Sequence, residues 1–291
     1  MTEDLPPGLH IVATPIGNLA DLGQRAADTL RCADRILAED TRVTAKLLAH
    51  IGSKVPMSRY DDHTSESERG RIVNRLGEEA IALVSDAGTP LISDPGYKLV
   101  RAARAAGHSV HTVPGPSAVI AALTLAGLPT DRFLFCGFLP VKAKARTDAI
   151  GEIAAVRATL VFYESGPRLG ETLAALAASL GDREGAVARE ISKLHEECVT
   201  GTLGELAQHY ADSVPKGEIV LLVGPPGEAL EASDAELNEA IDEALLRLSP
   251  SRAAAAVADK LNVPRKRAYA RALERSKVTD RPARDKNQVT P

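Results

Sequence analysis

Three stretches of the chain gather residues whose types could do chemistry. The longest is SDAGTPLISDPG, residues 85–96, with two Asp, two Pro, two Gly, Ser85, Thr89 and Ser93. The second is Glu39-Asp40-Thr41-Arg42. The third is Arg189-Glu190 with Lys193-Leu194-His195-Glu196-Glu197. Carboxylates and imidazoles move protons, and guanidinium groups hold anions. Each cluster also has a plainer reading. Residues 39–42 can be a helix cap with a surface ion pair. Residues 189–197 can be an internal charge network, because buried charges need partners. Two smaller turns, Thr14-Pro15-Ile16-Gly17-Asn18 and Pro114-Gly115-Pro116-Ser117, match the first stretch in character. Gly lets backbone approach a ligand, and Pro stiffens the turn.

The common nucleotide and hydrolase signatures are absent. The chain has no GxGxxG, no GxxxxGK[ST], no GxSxG and no HExxH. Cys32, Cys136 and Cys198 form no CxxC pair, so neither a zinc site nor a disulfide framework is indicated.

These turns need elements to position them. Apolar runs at residues 9–13, 35–38, 81–84 and 109–113 read as strands, each ending in one of the polar turns or clusters. Helical patterns follow at 43–50, 71–78, 98–103 and 118–126. A polar loop is expected over 61–68. The βαβ alternation predicts an α/β fold with a mainly parallel sheet. In such sheets ligands bind at the carboxyl ends of the strands. Residues 133–140 read as a strand leading to a linker, so a domain boundary is placed after residue 137. From 138 to 227, strands are closely spaced and helices fewer, which predicts a mixed sheet. Residues 228–275 read as a helical C-terminal domain, with Ser233 capping its first helix and two short helices joined by Asn262-Val263. Residues 276–291 are polar and expected to be disordered.

At 291 residues, 44% hydrophobic and 25% charged, the composition is that of a soluble α/β protein. Aromatic residues are 3% with no Trp, so Ala, Val, Leu and Ile must build the core. No apolar run reaches a membrane span and MTEDLPPG lacks an apolar leader, so a cytoplasmic location is the default. Residues 250–291 hold 11 Lys and Arg against 4 Asp and Glu, on a chain whose total charge is −4. A basic tail on an acidic body fits a nucleic-acid partner or, more plainly, a solvated helix.

The motifs also recur as a set. Pro15-Ile16-Gly17-Asn18-Leu19, Ala38-Glu39-Asp40-Thr41-Arg42, SDAGTPLISDPG, Pro114-Gly115-Pro116-Ser117-Ala118, Gly137-Phe138-Leu139-Pro140 and Phe162-Tyr163-Glu164-Ser165 occur in that order. Over residues 9–224 the chain resembles the small-subunit ribosomal RNA methyltransferases of the tetrapyrrole-methylase-like class. The resemblance implies two α/β domains with S-adenosylmethionine in the cleft between them, no metal, and a homodimer. It implies 2′-O-methylation of a cytidine ribose in the decoding region of 16S rRNA, as free rRNA or within the small ribosomal subunit. It carries cofactor contact to Pro15, to Asp86, Gly88, Thr89, Pro90, Leu91 and Ile92, to Ser117 and Ala118, to Tyr163 and Glu164, and to Gly224. On this reading Asp40 or Glu39 assists deprotonation of the ribose hydroxyl and Arg42 positions phosphate, with Lys193 and His195 the next candidates. Lys260, Arg265, Lys266, Arg267 and Arg271 are expected on the RNA backbone. The chain departs from the family at Gly166-Pro167, where Pro-His is usual, and in 60–64, which matches only through His63. A tetrapyrrole or corrinoid methylase of the same fold is the alternative; it has no need of a basic helical tail.

Overall fold

The computed structural model describes residues 5–227, 233–261 and 263–279. They form two compact units, divided between Pro225 and Pro226.

The first unit holds two five-stranded sheets. In the first sheet the strands are β1 (Gly8–Val12), β2 (Arg35–Ala38), β3 (Met57–Arg59), β4 (Ala80–Val84) and β5 (Val110–Val113). Their order is β3-β2-β4-β1-β5 and every pairing is parallel. Parallel sheets need cover on both faces, and the strand sequences oblige: β4 is buried at all five residues. Alternate side chains serve opposite layers. Ala82 and Val84 pack with Leu30 of α1 (Gln24–Cys32) and with Leu47 and Leu48 of α2 (Thr41–Ile51). Ile81 and Leu83 pack with Ile72 and Val73 of α3 (Glu66–Arg75) and with Leu99 and Ala103 of α4 (Tyr97–Ala105). The helix α3 starts at Glu66, inside the expected loop, because Ser65 caps it by accepting from the Glu68 amide.

The second sheet holds β6 (Phe133–Phe138), β7 (Thr159–Ser165), β8 (Glu184–Arg189), β9 (Glu197–Thr202) and β10 (Glu218–Val223), in the order β6-β7-β10-β8-β9. Only β6 and β7 run parallel, so the sheet is mixed. One face is covered by α6 (Ala143–Ile153), α7 (Gly166–Leu180) and α8 (Leu203–His209), through Ile150, Leu169, Leu173, Leu176, Leu203 and Leu206. The other is covered by α5 (Ala118–Ala126), whose Val119, Ala122, Leu123 and Ala126 pack on Val161, Ala186, Ala188, Val220 and Leu222.

Two expectations change here. The strand at 133–138 does not close the first domain; it pairs with β7 as an edge of the second sheet. The helix after β5, which the expected boundary assigns to the first domain, does not cover the first sheet. It is apolar on most of its surface and finds its buried partners on the second. The chain crosses between sheets at residues 114–117, ahead of the expected boundary.

The second unit contains α9 (Asp234–Leu245), α10 (Pro250–Leu261) and α11 (Arg265–Thr279). Ser233 and Glu236 form a reciprocal capping box at the start of α9. Ala254, Ala258, Ala268 and Ala272 lie in the core between the helices, where small side chains permit close approach. Because α11 runs to Thr279, residues 276–279 of the expected disordered tail are helical. The rest of that tail, and Asn262, lie outside the described residues.

Candidate active site

Four neighbouring strands of the first sheet deliver their carboxyl ends to one place, and hydrogen bonds fasten the turns together. Thr14, after β1, exchanges backbone hydrogen bonds with Gly88, after β4: 2.8 Å from the Thr14 amide and 3.1 Å to its carbonyl. Thr89 Oγ1 donates to the Pro116 carbonyl after β5, at 3.1 Å. The Asp40 amide, after β2, donates to Asp86 Oδ1 at 3.0 Å. The residues 85–96 turn holds Leu91 and Ser93 at φ of 75° and 63°, a left-handed conformation that costs about 1–3 kcal/mol for a non-glycine residue. Such strain persists where the surroundings over-determine it.

Between these turns and the second sheet lies a cavity of about 420 Å³. Of the residues expected at the cofactor, Asp86, Gly88, Thr89, Ile92, Ser117, Ala118, Tyr163 and Glu164 line it, and Glu39 joins them. Four expected cofactor residues do not. Pro15 and Leu91 flank lining residues without reaching the cavity, and Pro90 is buried beside Thr89. Gly224 sits at the wrong end of its strand. β10 runs antiparallel to β7, with Glu218 opposite Ser165, so its start and not its end meets the cavity. Gly217, Glu218, Ile219 and Val220 therefore form the wall, together with Ile16, Ser93, Asp94, Phe138, Ser165 and Ile191. Ser93 and Asp94 are visible in the 85–96 stretch. The start of β10 carries no signal, being an ordinary apolar strand.

The catalytic expectations separate. Asp40 is the N-cap of α2, and its carboxylate accepts from the Arg42 amide at 2.8 Å and from Arg42 Nε at 3.0 Å. Arg42 holds it far below the usual carboxylate range, so it is a poor proton acceptor. Arg42 is itself exposed and occupied by that pair. The plainer reading, a cap with a surface ion pair, is correct for both. Lys193 lies in a separate shallow depression with Gly17, Asn18 and Leu19. Its ammonium donates to Glu190 at 2.9 Å and Glu218 at 3.1 Å, and Arg189 pairs with Glu197, so the charges of residues 189–197 are paired with one another as expected, but in a partly exposed network and not a buried one. Burial disfavours the Lys193 charge, yet those carboxylates outweigh it and raise its pKa. His195 and His63 are both exposed and outside the cavity.

The cavity is strongly acidic. None of its lining residues is Lys, Arg or His. Glu164 is anchored by the Ser165 amide at 2.8 Å, Thr172 Oγ1 at 2.7 Å and Arg168 at 3.5 Å. Glu218 has Lys193. Burial, with repulsion from Asp94 and Asp86, pushes the Glu39 carboxyl up. Burial likewise pushes Asp94 up, although a Ser85 hydrogen bond opposes it. The same burial, beside Asp94 and Glu218, raises the Tyr163 phenol. No group of His, Cys, Asp and Glu among the described residues could hold a metal.

Of the expected RNA contacts, Arg267 and Arg271 are engaged within their own unit, at 2.9 and 3.0 Å from Asp234, and Arg271 also reaches Glu274 at 3.1 Å. Lys260, Arg265 and Lys266 are exposed.

Two sheets enclosing a polar cavity at parallel strand ends is an arrangement already known. Residues 8–207 match the family Tetrapyrrole (Corrin/Porphyrin) Methylases, and residues 231–276 match the RsmI C-terminal HTH domain. The fold is shared by the crystal structures of diphthine synthase (TM-score 0.59, 15% identity, 74% of this chain and 89% of that one) and of uroporphyrin-III-C-methyltransferase from Thermus thermophilus (TM-score 0.54, 21% identity, 75% and 94%). At higher identity the relatives are of one kind. Ribosomal RNA small subunit methyltransferase I of Erythrobacter litoralis is 56% identical over 273 residues, 94% of this chain and 96% of the relative. Those of Mesorhizobium japonicum and Pseudomonas aeruginosa are 48% and 44% identical, over 93% and 92% of this chain and 92% and 97% of theirs. The chain belongs to the tetrapyrrole methylase family and, within it, to the ribosomal RNA small subunit methyltransferase I group.

Proposed function

We propose that this protein transfers a methyl group from S-adenosylmethionine to small-subunit ribosomal RNA, at the 2′-hydroxyl of a cytidine ribose in the decoding region of 16S rRNA. The cation-free acidic cavity carries this reading. A sulfonium cofactor fits a site lined by Glu39, Asp86 and Asp94, where burial and mutual repulsion push Glu39 and Asp94 toward protonation. Ile16, Ile92, Ile191 and Val220 supply apolar wall, and Gly88 and Ala118 leave room for close approach. Bound there, S-adenosylmethionine supplies an electrophilic methyl on a cationic sulfur. The protein's part is alignment and proton removal. Glu39 is the base: it lines the cavity and its pKa lies above the ordinary value, whereas Asp40 does neither.

An acidic cavity repels phosphate, so the RNA backbone must be held elsewhere. Lys260, Arg265 and Lys266, exposed in the second unit, are cations suited to it. Replacing Arg265 and Lys266 together with Ala should weaken RNA binding and reduce the slope of log affinity against log salt by about 2. An unchanged slope removes them from the interface. Family membership further suggests a homodimer, which light scattering tests, and action in the cytoplasm; no helix among the described residues is long and apolar enough to cross a membrane.

The deciding experiment supplies tritiated S-adenosylmethionine with small ribosomal subunits, naked 16S rRNA and uroporphyrinogen. Label in an RNA fraction, mapped to a cytidine ribose, is the expected result. Label in uroporphyrinogen alone would establish the small-molecule alternative.

A further inference from the structure

The strand β6 contains a bulge whose effect is to place one aromatic ring. Phe135 is paired with Val161, but the next pairing is Gly137 with Phe162, so Cys136 is an inserted residue. Gly137 has φ of +64°, a conformation glycine adopts without penalty. A one-residue shift moves every later side chain to the other face of a sheet. Without the insertion Phe138 would lie on the face of Leu134 and Cys136, which pack against the Leu160–Phe162 core. With it, Phe138 is level with Tyr163, on the face of Phe135 and Val161. The Phe138 and Tyr163 rings are 5.6 Å apart and tilted by 60°, and Phe135 meets Tyr163 edge-on at 4.9 Å. Bulges of this kind re-aim side chains beside active sites.

The ring so delivered is not buried. Phe138 lines the cavity and yet is 57% exposed, in a chain with only four Phe. A side chain at the lip, tilted against Tyr163 and more than half open, does not complete a core.

We infer that Phe138 is the stacking platform for the unpaired target base of the RNA substrate, holding it while its ribose enters the cavity. This rests on the RNA methyl-transfer reading above. A base inside a helix cannot bring its ribose to an enclosed site, so enzymes of this kind extrude the nucleotide and stack it on aromatic side chains. The cofactor's adenine is the competing planar group. Small-molecule sites enclose most of their ligand, and a ring more than half in solvent suits the partner that arrives and leaves with each turnover. Exposed Lys142, four residues on, offers that partner a cation where the cavity itself offers none.

The test uses the full chain with the RNA substrate that wild type labels, and compares Phe138→Ala, Phe138→Leu and Phe138→Trp. Phe138→Ala should raise the KM for RNA about 10-fold or more. Phe138→Leu should not restore it, and Phe138→Trp should. The affinity for S-adenosylhomocysteine, measured by calorimetry, should change less than about twofold in all three, since a base platform and a cofactor clamp part at this readout. An unchanged KM in Phe138→Ala overturns the inference. So does full rescue by Leu, or a fall in S-adenosylhomocysteine affinity that matches the loss of activity. Wild-type protein that labels no RNA while binding S-adenosylhomocysteine overturns the function proposed above, and the platform with it.

Discussion

Glu39→Gln should lower methyl transfer about 100-fold or more, as loss of a positioned base does, while the ligand-free protein becomes harder to unfold. Both effects come from one cause. The folded protein holds the Glu39 carboxyl above its usual pKa through burial and through Asp94 and Asp86. A raised folded pKa means the protonated form is the one the fold favours. Its contribution to stability is complete below the ordinary value of 4.5 and is lost as pH rises through the folded value. On the proposed role of Glu39 as base, catalysis needs the opposite form, so turnover should rise over the same interval in which this contribution to stability falls. Gln keeps the shape without the charge, and a melting-temperature gain of roughly 1–3 °C at neutral pH is the expected scale. The control is Asp40→Asn. Asn caps helices as well as Asp, and the Asp40 carboxylate is already neutralised by Arg42, so turnover should stay within about threefold of wild type. Initial rates and thermal melts across a pH range of about 5 to 8 check both. A large loss in Asp40→Asn with turnover preserved in Glu39→Gln would return the base to Asp40.

Gly166→Ala should be the most damaging small substitution in the first unit. A Cβ at residue 166 would overlap the carbonyl oxygen of Pro215 and stand 3.0 Å from its carbon. Neither side can step aside cheaply. Gly166 opens α7 directly after Ser165, and Pro215 leads into Gly217 and Glu218, so both segments run straight into the cavity wall. Overpacking against backbone costs about 3 kcal/mol or more, and a melting-temperature drop of roughly 5–10 °C is expected. The affinity for S-adenosylhomocysteine should fall with it, because the wall moves. Gly151 supplies the contrast. It lies in α6, exposed, where an added Cβ would meet nothing within 4 Å, and Gly151→Ala should stabilise by about 0.5–1 kcal/mol. Differential scanning calorimetry of the two variants is the measurement; a Gly166→Ala protein that melts with wild type would show that this contact is loose.

The parts of the fold legible in the sequence are those written in local chemistry. Apolar runs ending in Gly, Pro and Asp locate the first sheet and three of its turns, since strand burial and turn geometry both depend on neighbours in the chain. The hidden parts depend on partners far away. Helix α5 is apolar nearly all round, so its sequence cannot say which sheet it covers. Glu39 and Asp40 are adjacent and chemically alike; only the fold turns one into the cavity and the other onto Arg42. Gly224 suits the rule that ligands gather at strand ends, but that rule belongs to parallel strands and β10 is antiparallel to its neighbours. Arg267 and Arg271 read as free cations until acidic α9 folds beside them and Asp234 takes both. The bulge in β6 needs its partner strand to be seen at all, although Gly137 beside Phe138 is its trace.

The crossing at residues 114–117 has one further consequence. Because α5 is seated on the second sheet while Thr89, after β4, is hydrogen-bonded to the Pro116 carbonyl that leads into it, the two sheets are linked beside the cavity, and the described residues 5–225 lie in one compact unit. Any swing of one sheet against the other would have to turn at this crossing and pull on the hydrogen bond from Thr89 to the Pro116 carbonyl. Heat should likewise find no weaker half to melt first, and a ligand gripped at the seam would fortify both sheets at once.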